Sequence, residues 1–160
     1  MKQTSRIIST CSADTFGVCS ALFELGGMTV MHDASGCNST YTTHDEPRWY
    51  DMDSMVYISA LSEMEAILGD DEKLIGDIAA AAEDLCPEFI AIAGTPIPAM
   101  TGFDYDAVAA LVEERTGIPA FGFPTTGMET YVAGAGMAFA ALAKRFVESG
   151  ERTEEKSVNI

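Results

Sequence analysis

The segment Pro87-Glu88-Phe89-Ile90-Ala91-Ile92-Ala93-Gly94 constrains the fold more than any other stretch of this chain. Phe89 to Ala93 is continuously apolar, which suits a parallel strand covered on both faces. Three shorter runs read the same way: Met28 to His32, Met55 to Ile58, and Ala120 to Phe123. Helical patterns lie between them. Phe16, Cys19 and Phe23 share one face of a first helix that the Gly26-Gly27 pair stops. Asp70 and Asp71 offer N-caps to a helix whose apolar stripe is Leu74, Ile78, Ala82 and Leu85. Asp104 and Asp106 open another, with Val108, Leu111 and Val112 inward, and Gly117 followed by Pro119 closes it. A last helix, about Tyr131 to Glu148, carries Phe139, Leu142 and Phe146 on one side and Ala and Gly on another, a pattern that permits close helix packing.

Strands separated by helices imply parallel pairing through right-handed crossovers. The expected fold is therefore α/β, a three-layer Rossmann-like domain with a mainly parallel sheet of four to five strands. Ligands of such sheets bind outside the carboxyl ends of the strands. Three polar or Gly-rich segments occupy those ends: His32 to Tyr41, Gly94 to Asp106, and Pro124 to Thr130.

At 160 residues and 48% apolar content the chain can bury one core, so a single domain over residues 1–160 is expected. No apolar run reaches eighteen residues, which excludes a membrane-spanning helix, and the N-terminal stretch has no secretory h-region. A cytoplasmic location follows as the expectation. Only nine Lys and Arg against a formal charge of −16 exclude nucleic acid as a partner. The acidic excess is spread through helices and tail, as on a solvated surface.

Four unevenly spaced cysteines do not form a disulfide framework. Cys11 and Cys37 each sit where the chain changes direction, where a thiolate can face a cofactor without disturbing a core. Small buried hydrophobes are the alternative reading for both. Cys19 falls on the apolar helix face and Cys86 precedes Pro87, so both read as packing residues. A zinc site is disfavoured, because no C-x-x-C pair occurs and His32 and His44 are the only imidazoles. His32 ends a strand beside the Cys37 loop, placed to donate to a cofactor or substrate, or simply to bond within its loop. Thr95, just past the Phe89 to Ala93 strand, is the second non-thiol candidate for a cofactor contact. The stretch His44, Asp45, Glu46, Arg48, Trp49 and Tyr50 reads as an interface or solvated loop. The turn Thr125-Thr126-Gly127 presents backbone N–H groups that could hold an anion.

Cys11-Ser12-Ala13, then Gly17-Val18-Cys19-Ser20-Ala21-Leu22 and His32-Asp33-Ala34-Ser35-Gly36-Cys37, resemble the start of nitrogenase component 1 subunits, most closely the β-type. The likeness continues in order through Ile67-Leu68-Gly69 with Lys73-Leu74, Cys86 to Ile92, Gly102-Phe103-Asp104 and Pro124 to Gly127. The resemblance implies an iron–sulfur cluster held by Cys11 and Cys37. Thiolates are soft donors suited to such iron, and about four are needed per cluster. Two per chain imply a [4Fe–4S] cluster shared between chains, hence a homodimer or a heterodimer with a related subunit. It further implies an ATP-dependent iron–sulfur reductase as electron donor. The chain departs from the family pattern after the central strand, where Gly94-Thr95-Pro96 stands in place of a Thr-Cys pair. Ser157 to Ile160 looks like the lead-in to a second domain, so the expectation is an N-terminal domain truncated before it and inactive alone. A cofactor-assembly scaffold and a metal-free small-molecule module are the alternatives.

Overall fold

The computed structural model describes residues 12–36, 38–42, 48, 51 and 55–148. Strands β1 (Met28–Met31), β2 (Val56–Ile58), β3 (Ile90–Ala93) and β4 (Ala120–Phe123) form one sheet in the order β2-β1-β3-β4. All three pairings are parallel, with Met28 opposite Ile90 and Ile90 opposite Ala120. The four apolar runs are thus the four strands, the first three each trimmed by one residue and the fourth unchanged, and the sheet is entirely parallel.

Alternation along the strands sorts side chains to two helical layers. Met28, Val30, Ile90 and Ile92 meet Leu74, Ile75 and Ile78 of α4 (Glu72–Leu85) and Val108 and Val112 of α6 (Tyr105–Thr116). On the opposite face Ala91, Ala93 and Phe123 meet Val18 and Leu22 of α1 (Asp14–Leu22) and Ala138 of α7 (Tyr131–Phe146). Met31 and Val56 complete that layer with Cys19, Phe23 and Tyr41, the last lying just past the short α2 (Asn38–Thr40). Two more short helices, α3 (Glu63–Leu68) and α5 (Pro96–Thr101), complete the described elements.

The predicted helices form, but some of their apolar residues do not face the core. Leu85, in the last turn of α4, is 39% exposed, and Leu111 is 48% exposed because the sheet-facing stripe of α6 is Val108, Ala109 and Val112. On α7 the Ala and Gly side packs inward, as its pattern permits: Gly134 and Ala138 are buried, Phe139 is exposed, and Leu142 and Phe146 lie toward Phe121 at the rim of that layer. The reason is steric. A Cβ on Gly134 would lie 1.9 Å from the Asp14 carbonyl oxygen, and one on Gly17 would lie 2.0 Å from that of Tyr131, so α1 and α7 touch backbone to backbone. Only a small-residue face permits this approach.

Asp104 caps α6 by accepting from Ala107 N–H at 3.0 Å, and Gly117 ends it at φ 72°. Asp71 holds the N-cap position of α4 without a side-chain cap bond; the carboxylate that accepts from Glu72 N–H, at 3.1 Å, is that of Asp70.

The chain leaves β1 for β2 through the segment that packs Tyr41 on the α1 face, then crosses to β3 and β4 through α4 and α6 on the other. The direction of winding reverses between β1 and β3. This is the topological switch point, where sheets of this order open a crevice for ligands. Among the described residues no helix is long and apolar enough to cross a membrane.

Candidate functional site

His32 and Asp33 follow β1 at the switch point, and Gly94 and Thr95 follow β3. Thr95 is buried, and its Oγ1 donates toward the His32 carbonyl at 2.8 Å and the Asp33 carboxylate at 2.9 Å, tying the two strand ends together. The other Asp33 oxygen accepts from Asn38 Nδ2 at 2.6 Å, and Asn38 is the residue after Cys37. Beside it, the Gly94 carbonyl accepts from Thr15 Oγ1 at 2.6 Å and Thr125 Oγ1 at 2.8 Å. Gly94 has no room for a side chain, because a Cβ would sit 2.2 Å from the Thr125 carbonyl oxygen.

Asp14 extends this frame. Its fully buried carboxylate accepts from Thr15 N–H at 2.9 Å, Thr126 N–H at 2.9 Å and Gly127 N–H at 2.8 Å. The anion held by the Thr125-Thr126-Gly127 turn is therefore the chain's own carboxylate, so the turn is not free for an external ligand. Tyr131 N–H donates to the Ser12 carbonyl at 2.9 Å, which pins the residue after Cys11 to the start of α7. The hydrogen-bonded frame thus fastens the residues that flank both thiols to the carboxyl end of the sheet. Cys11 and Cys37 themselves lie outside the described residues.

His32 is buried, and its Nδ1 shares a hydrogen bond with Ser59 Oγ at 2.9 Å. Burial drives its pKa down to about 4, against a smaller opposing pull from the Asp33 carboxylate. The ring is neutral at physiological pH, so it offers a hydrogen bond and not an imidazolium proton. It stacks on Phe103 at 4.4 Å, and Phe103 meets Tyr105 edge-on at 4.6 Å. His32 and Phe103 line one side of a cavity of about 410 Å³ whose other walls include Glu65, Leu68, Asp70 and Asp104. Burial also raises the Tyr105 phenol, whose hydroxyl lies under Gly94.

Cys19 is fully buried among Phe23, Met31 and Tyr41, as a packing residue. Cys86 is not one: it is exposed at the end of α4 with φ 48°, its Sγ 3.5 Å from the Glu83 carbonyl oxygen. Arg48 does not belong to a free loop, since it bonds the Ser20 carbonyl at 3.0 Å, pairs with Glu24 at 3.1 Å and covers the Phe23 ring at 4.5 Å. His44, Asp45, Glu46, Trp49 and Tyr50 lie outside the described residues. Among those described, no group of three His, Cys, Asp or Glu side chains could hold a metal ion. Asp14, Thr15, Asp33 and Asn38 escaped the reading of the sequence. An acidic residue opening a helix and another ending a strand were the available signals.

Fold and strand-end frame together define a doubly wound α/β domain. The profile of the nitrogenase component 1 type oxidoreductases matches residues 7–160, and the chain belongs to that family. Solved structures of nitrogenase Cp1 at pH 5 and at pH 6.5 share its fold, each at a TM-score of 0.71 and 20% identity over 98% of this chain. The chain spans about a third of their length, 34% and 32% respectively. No curated protein matches it.

Proposed function

We propose that this domain holds an iron–sulfur cluster through Cys11 and Cys37, shared across a dimer interface, and serves a nitrogenase-like oxidoreductase in relaying low-potential electrons to a bound substrate. The observation that carries the reading is the frame at the β1/β3 switch point. Asn38, next to one thiol, is hydrogen-bonded to Asp33 past the end of β1, and Ser12, next to the other, to the start of α7, which follows β4. The donor chemistry fits: the frame supplies oxygen and nitrogen groups that orient a loop, and the thiolates supply the soft ligands. Such a cluster, when bound, stores and releases single electrons. The chain's own residues hold the loops, exclude water through the buried Thr95, Thr125 and Asp14, and keep His32 neutral beside the site.

The electron donor in this reading is an ATP-dependent iron–sulfur reductase. A surface suited to receive it lies on α3 and α5, where Met64, Ile67, Leu68 and Met100 are 63 to 87% exposed. The β-type likeness, the second domain and the cytoplasmic location belong to the same proposal. The scaffold and metal-free alternatives separate from it by experiment. Iron and acid-labile sulfide in anaerobically purified protein distinguish the metal-free module. ATP-dependent reduction by a reductase, abolished by Leu68→Glu with iron content unchanged, distinguishes the scaffold. Protein devoid of iron and sulfide after anaerobic reconstitution would overturn the reading.

A further inference from the structure

Among the described residues, strand β4 ends the sheet. Its Pro119 and Phe123 carbonyls accept from Ile90 N–H and Gly94 N–H on β3, so the pleat turns the backbone groups of Ala120 and Gly122 outward. Handedness bears on what can lie there. Since α7 packs on the face opposite α4 and α6, a strand laid outside β4 by the chain following α7 would need a left-handed crossover. Among the described residues nothing pairs with this edge, which makes it a template for another chain unless something blocks it.

Glu113 does so. From α6 its Oε2 accepts from the outward Ala120 N–H at 3.0 Å, while Oε1 accepts from Arg145 Nη2 of α7 at 2.8 Å. The pair bridges a groove of about 750 Å³ whose floor is Ala120, Phe121 and Gly122 and whose walls include Ala109 and Ala141. A carboxylate there fills a ladder position and places a charge where a second strand would run.

We propose that Glu113 latches the β4 edge shut, and that its withdrawal from Ala120 opens that edge to antiparallel pairing with β4 of a second copy. A two-fold axis through Phe121 would set Ala120 of one copy opposite Gly122 of the other. Those are the outward-facing residues, and such opposed pairs exchange both backbone hydrogen bonds. This pairing is separate from the cluster-bearing interface proposed above.

Sedimentation velocity of Glu113→Ala, Glu113→Gln and unaltered protein over a concentration series tests the latch. Glu113→Ala is expected to add a species of twice the unaltered protein's mass as concentration rises. Glu113→Gln keeps a carbonyl for Ala120 and should sediment as the unaltered protein does. Native-state hydrogen exchange supplies a readout independent of any variant: the Ala120 amide should exchange at least about tenfold more slowly than that of Gly122. Identical sedimentation of Glu113→Ala and unaltered protein, or equal exchange at the two amides, would overturn the proposal.

Discussion

The two helical layers grip the same sheet by different means. The α4/α6 layer is built from branched side chains, with Leu74, Ile75, Ile78, Val108 and Val112 against Met28, Val30, Ile90 and Ile92. The α1/α7 layer instead brings two helix backbones together at Gly17 and Gly134 and pins them with the buried Asp14 carboxylate. Aliphatic packing yields stability and tolerates small shifts, since neighbouring side chains can relax. Backbone contact and short polar bonds tolerate much less. The segment after Cys11 lies in the second kind of layer, so the less forgiving half of the molecule is the half that positions the proposed site.

The largest predicted effect probes that asymmetry. Gly134→Val would drive a side chain into the Asp14 backbone, costing about 4 kcal/mol or more in urea unfolding and, on the proposed function, removing the cluster iron with it. Ile78→Ala in the other layer should cost about 2–4 kcal/mol yet leave the iron in place. Equal loss of iron in both variants would erase the distinction between layers. Next comes Asp14→Ala, which strands the N–H groups of Thr126 and Gly127. A loss of about 2–3 kcal/mol is expected, together with a weakened cluster, and Asp14→Asn should fall between.

A smaller, pH-dependent effect comes from His32. Its folded pKa of about 4 lies below the unfolded value near 6.5, so unfolding takes up a proton between those values. The contribution is complete above about pH 6.5 and falls with acidity at up to about 1.4 kcal/mol per pH unit. Unfolding curves of His32→Gln should show a shallower decline over that window; an unchanged slope would mean that His32 is not held neutral. The smallest effect is at Leu85, where exposure predicts a change within about 0.5 kcal/mol on Leu85→Ala.

These contrasts also show what was legible in the chain. The four strands, the Asp104 cap and the Gly117 stop follow from local patterns, because continuous apolarity and capping chemistry act within a few residues. Leu85 and Leu111 misled because periodicity reports a helical face but not how far the sheet extends beneath it. On α7 the Ala and Gly side, legible in the sequence as a close-packing face, is the one against α1, where backbone approach admits the least side chain. Of the site, the strand-end position of His32 and Thr95 was legible. Asp14 was not, since its bonds to Thr126 and Gly127 cross more than a hundred residues of sequence, a pairing no local pattern encodes.

The central claim is that Cys11 and Cys37 act as one site at the β1/β3 switch point. Iron content and visible absorption of anaerobically reconstituted Cys11→Ser, Cys37→Ser and the double variant, with far-ultraviolet circular dichroism as the control for folding, test it most directly. Each single variant should lose the cluster as completely as the double while the helical and sheet signal stays unchanged. Full iron and an intact absorption band in either folded single variant would contradict the account.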